Sequence, residues 1–116
     1  MTRLILVFIF LQLNWLGLSA QTAEEDSVVI EVKQLLDQGG SLIKRRQLDS
    51  AVVLLKYTLD YTKRELGEDH LLAGVIAHTL GYVHMVQEQQ DEAQSYYLEA
   101  LRIRRINYSP PNAELA

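Results

Sequence analysis

From Ser27 onward the apolar residues recur with helical spacing. Val28, Val32, Leu35, Gly39 and Leu42 step by four and three, which places them on one helix face. Leu48, Ala51, Leu55, Thr58 and Thr62 form a second stripe after an interruption at Arg46-Gln47. Ala73, Ala77, Leu80 and His84 make a third, and Ala93, Tyr97, Ala100 and Leu101 a fourth. The pattern predicts an all-α chain of four helices, near 27–46, 48–66, 70–88 and 91–107. Asp49, Asp69 and Asp91 stand at three of the starts and are the expected N-caps, because a carboxylate there can accept an otherwise unpaired backbone N–H. Lys63-Arg64 and Arg102, Arg104 and Arg105 gather at two of the ends, where cations suit the helix dipole. Gly39-Gly40 disturbs the first stripe, since glycine inside a helix costs about 1 kcal/mol relative to alanine. A helix crossing accounts for Gly39. Gly40 has no such account, and a break there with Ser41 opening a short new helix is the alternative.

The two halves echo each other at an offset of 42 residues. Gly39 falls on Gly81, Asp49 on Asp91, Ala51 on Ala93, Leu55 on Tyr97 and Leu59 on Leu101. Small residues recur where helices must approach, and large ones where a gap must be filled. A fixed period of two helices is the signature of a helical solenoid, here two antiparallel hairpins, 27–66 and 70–107, within the span 27–107. Asn112 and Ala113 to Ala116, after Pro110-Pro111, read as the opening of a third unit, so 108–116 is expected to be a turn plus a truncated repeat. Tyr96, Leu101 and Ile103 are then expected to stay partly uncovered and to allow self-association through the C-terminal helix face.

The N-terminus follows a different rule. Met1-Thr2-Arg3, an apolar run from Leu4 to Leu18, and the small residues Gly17, Ser19 and Ala20 have the order of an export signal. Residues 1–20 are expected to be removed, leaving 21–26 as a short acidic lead-in and a periplasmic or secreted protein. An uncleaved segment anchoring the chain to a membrane is the alternative. Loss of Arg3 takes 11 basic residues to 10 against 15 acidic ones, a net charge of −5. That balance argues against a nucleic-acid partner, which needs a basic face. The chain has no cysteine, so packing alone must stabilise it.

The order Leu80-Gly81, Ala93, Tyr97, Ala100 resembles the small and large positions of the tetratricopeptide repeat. The inter-unit sequence Leu66-Gly67-Glu68-Asp69-His70 and the helix opening Asp91-Glu92-Ala93 resemble the 42-residue repeats of kinesin light chains and their bacterial relatives. The resemblance runs from about Leu35 to Ala116. It departs at Leu71, where the family has proline, at Gln38, where a leucine precedes the glycine, and at His78-Thr79, where paired asparagines are usual. It implies a right-handed solenoid whose first helices line a concave groove. By position, that groove takes Lys33, Leu36, Gly40 and Lys44 from the first unit and His78, Tyr82 and Met85 from the second.

Candidate chemistry is sparse. There is no thiol and no nucleophilic serine in a strained glycine turn, so no catalytic residue is assigned. His70, His78 and His84 are spaced by eight and six, which does not bring a pair onto one helix level, so no metal or other cofactor is expected. Together the pattern and the resemblance imply a non-enzymatic scaffold that holds a protein or peptide segment. The alternative is the N-terminal sensory input domain of a larger bacterial signalling protein linked to a kinase or protease.

Overall fold

The computed structural model describes the backbone of residues 2–108, and the side chains of Ile9 and of residues 20–108. Its four helices are α1 (Thr2–Lys44), α2 (Leu48–Leu66), α3 (Leu71–Val86) and α4 (Gln90–Tyr108). α1 packs on α2 and α3 on α4, and α2 joins the two pairs, so the all-α hairpin architecture stands. The segment 109–116, with the expected third-unit opening, lies outside the described residues. α1 differs most from expectation: it is one helix of 43 residues that runs through 21–26 and starts at Thr2, not near residue 27. No proline interrupts it, and Gly39-Gly40 does not break it, so Ser41 opens no new helix.

The turn inside each unit repeats to the residue. Arg46 N–H donates to the Ile43 carbonyl and Gln47 N–H to Leu42; forty-two positions on, Glu88 donates to Met85 and Gln89 to His84. Arg46 and Glu88 both sit at φ 62°, which satisfies the last helix carbonyls in a Schellman turn usually closed by glycine. Between units, Gly67 takes φ 109° and ψ 152°, a region open essentially to glycine alone. None of the three aspartates is an N-cap. α2 opens at Gln47 with no side-chain cap. His70 caps α3 by accepting from Leu72 N–H through Nδ1. Asp49 and Asp91 fall one position inside their helices, where they still favour the positive dipole end.

The crossing points explain two glycines. A Cβ at Gly39 would stand 2.7 Å from Leu55 Cδ2, and one at Gly81 2.7 Å from Tyr97 Cδ1. The 39–55 and 81–97 pairs are thus the same contact, 42 residues apart. Gly40 faces open space, with nothing within 4 Å of such a Cβ.

One core, including Val32, Leu55, Leu59, Ile76, Leu80, Val83 and Ile103, runs through both units. A polar clasp ties them from outside. Lys63 meets Glu99 at 2.9 Å, Arg102 meets Asp69 at 2.7 Å, and Gln87 donates to Asp49 at 2.8 Å. Arg102 also meets Glu99, so Glu99 carries two cations and its carboxyl is held below the usual glutamate range by those hydrogen bonds.

Equivalent positions show what each end of the stack presents. On α3, Ile76, Leu80 and Val83 are fully buried; their counterparts on α1, Gln34, Gln38 and Ser41, are polar and exposed. α1 therefore shows a polar flank where α3 shows an apolar one. At the other end the relation reverses. Leu59 is 6% exposed, but its counterpart Leu101 is 42% exposed, and Tyr108, counterpart of half-buried Leu66, is 60% exposed. Of the three α4 residues expected to be partly uncovered, Leu101 and Tyr96 are, and Ile103 is not. Ile103 is fully buried, because Gly74 lets it approach to 3.0 Å of where a Cβ would stand. Tyr96 is half-buried and stacks on His84 at 5.4 Å.

Candidate protein-binding face

The candidate face is the one the repeat resemblance assigns to α1 and α3, and the helix spacing of its residues is compatible with it. Lys33, Leu36, Gly40 and Lys44 step by three, four and four along α1, and His78, Tyr82 and Met85 by four and three along α3. Lys33 and Lys44 are exposed, and neither meets a carboxylate among the described residues. Leu36 and Gly40 are half-buried. Tyr82 and Met85 are 50% and 47% exposed. His78 is exposed but leans on the Tyr97 ring at 5.3 Å, so it borders α4 as well as the open face.

Two residues of this face were missed in the sequence. Val75 and Val86, 40% and 37% exposed, lie forty-two positions after Lys33 and Lys44 and continue the stripe at both ends. The offset that revealed the repeat also points to them. With them, α3 presents a strip of four large apolar side chains, and α1 presents the two unpaired lysines.

The three histidines are dispersed. His70 caps α3, His78 edges the open face, and His84 is 5% exposed. His84 Nδ1 bonds the Gln89 side-chain oxygen at 2.6 Å, which makes Nδ1 the donor and leaves the buried Nε2 without a partner. Among the described residues no group of three His, Asp or Glu side chains is placed to hold a metal ion.

Other features lie beside or away from this face. Val53 and Tyr57 are exposed on α2 beside an open hollow that Asp49 and Ser50 also line. Tyr57 stacks on Tyr61, whose hydroxyl donates to Glu31 at 2.8 Å. That bond, with lesser help from burial, raises the Tyr61 pKa. A cavity of about 130 Å³ opens between Leu71, Gly74, Val75 and Ile103, with Arg104 and Tyr108 at its rim.

Two helix hairpins in a 42-residue register, with an exposed apolar strip on α3, have the architecture of a helical-repeat protein. Residues 75–112 match the tetratricopeptide repeat family, which places the match on α3, α4 and the four residues beyond. Such a repeat is a protein-interaction module and is typically non-catalytic. No curated protein and no solved structure matches the chain.

Proposed function

We propose that this chain is a scaffold that holds a segment of another protein against the α1/α3 face. The exposed strip Val75, Tyr82, Met85 and Val86 carries this reading. Large apolar side chains left exposed along one helix point to an interaction site, and tyrosine and methionine are favoured at recognition surfaces. Methionine also adapts its shape to a partner. Lys33 and Lys44 bias the choice of segment: apolar side chains for α3, with a carboxylate placed for α1.

The direct test is capture of the native partner by the chain carrying Tyr82→Ala and Lys44→Glu. Both side chains are exposed, so helicity should be unchanged and stability should move by no more than about 0.5 kcal/mol. Loss of a central aromatic anchor lowers affinity by about 2 kcal/mol, roughly thirtyfold. Undiminished capture overturns the assignment. The same proposal takes residues 1–20 as an export signal, so mass spectrometry of the protein from its native host should find Met1 absent. An intact Met1 favours the anchored alternative.

A further inference from the structure

α4 carries a second exposed stripe that the groove reading does not use. Asp91, Gln94, Leu98, Leu101, Arg105 and Tyr108 step by three and four and are all exposed, with Leu98 at 57%, Leu101 at 42% and Tyr108 at 60%. This is the seam spacing of a coiled coil. In the first unit the second unit covers the later part of the equivalent α2 stripe, where Leu59 is buried and Lys63 pairs with Glu99, while Lys56, the counterpart of Leu98, is exposed. On α4 the counterparts of that later part, Leu101, Arg105 and Tyr108, are exposed, and Arg105 meets no carboxylate among the described residues.

The occupant is indicated by charge and by the opposite end of the stack. A head-to-tail neighbour would set Leu98 and Leu101 against Gln34, Gln38 and Ser41, which is apolar surface against polar. An antiparallel copy of α4 fits better. Asp91 and Glu92 lie at one end of the stripe, Arg104 and Arg105 at the other, and none of the four is paired within the described chain. Running two such helices in opposite directions sets Leu98 against Leu101 of the partner subunit, and brings Arg105 within reach of Asp91 of the partner subunit. The arrangement is two-fold, so each contact occurs twice.

We propose that the chain pairs with a second copy of itself through antiparallel α4 helices, with the leucines as the seam and the terminal charges fixing direction. The interface of one helix pair is small, so the dimer is weak and exchanges. It uses none of the α1/α3 face residues, although Tyr108 borders Val75 at the small cavity, and two linked faces bind a repeated or clustered partner with avidity. The pairing does not depend on what those faces hold.

The natural absence of cysteine makes the test clean. Full chains carrying Leu98→Cys are mixed with chains carrying Leu101→Cys under mild oxidation. A chain with Ser50→Cys on the exposed side of α2 serves as control. The expected result is a disulfide-linked dimer in the mixture and none in the control. Added to both partners, Asp91→Arg or Arg105→Asp alone should each cut the linked fraction about tenfold. The two reversals together in one chain should restore it, because only an antiparallel pair realigns both charges. Equal linking at Ser50, no linked species, or a double reversal no better than the single ones overturns the proposal. A face covered from within the same chain gives no linked species and so counts against it too.

Discussion

Glycine to alanine meets opposite surroundings at Gly39 and Gly40, although both lie inside one helix. At Gly40 the methyl enters open space, so only helix propensity changes, and Gly40→Ala should stabilise by about 1 kcal/mol. At Gly39 the same gain is set against Leu55, which is fully buried and cannot retreat freely. Overpacking a core typically costs about 1–3 kcal/mol, so Gly39→Ala should be destabilising on balance. Gly81→Ala meets the rigid Tyr97 ring and should be no milder. Thermal melts should therefore rank Gly40→Ala above the natural chain and Gly39→Ala and Gly81→Ala below it, with steps of about 4–8 °C per kcal/mol. His84 makes a different case. Its buried Nε2 has no partner, and the equivalent residue Leu42 serves the same turn without a polar atom. His84→Leu should leave the melting temperature unchanged or raise it, since Gln89 is exposed and can turn to water. A fall of several degrees would show that His84 contributes more than packing. The role of Gly39 was legible in the sequence, because a recurring glycine implies close approach. The buried state of Ile103 was not, because it depends on Gly74 letting α4 settle one notch closer.

The ends of the elements were read unevenly, and the reason is geometric. α2 spans Leu48–Leu66 as the apolar stripe predicts, and α3 and α4 shift by one or two residues. The aspartate N-caps failed because a cap needs both an extended backbone and a side chain turned back onto the helix. Composition supplies candidates but not that turn, and His70 took the role at α3. Freed from capping, Asp69 joins Arg102 and Glu99 in the clasp between units. That clasp has a defined pH response. The carboxyl of Glu99 is lowered in the folded chain, so its contribution is complete above the unfolded glutamate value, near 4.3, and is lost as pH falls through the lower folded value. Glu99 and Lys63 are each about a quarter exposed, so solvent limits the gain to about 1 kcal/mol or less. Glu99→Gln should lower the melting temperature by a few degrees at pH 7, and the gap should close as pH falls through the lowered value of the folded carboxyl. A gap that persists unchanged at acid pH would assign the loss to packing instead.

At the scale of the whole molecule, two units sharing one core have two unlike ends and one open side. The polar flank of α1 was foreshadowed by Gln38 standing where the repeat pattern has leucine. Its meaning emerged only when Gln34, Gln38 and Ser41 were set against buried Ile76, Leu80 and Val83. The candidate face was half legible: the repeat resemblance pointed to Tyr82 and Met85 by position, while Val75 and Val86 had to be seen exposed. The main rival to the α1/α3 face is the patch at Val53 and Tyr57 on α2, which is at least as open. The measurement that separates them is photo-crosslinking to the native partner from a benzophenone side chain placed at Tyr82, Met85 or Val53 in turn. Adducts from Tyr82 and Met85, lost when Lys33 and Lys44 are reversed to glutamate, with none from Val53, are the result predicted here. Adducts from Val53 alone, or equal adducts from all three positions, would contradict the claim that this protein holds its partner on α1 and α3.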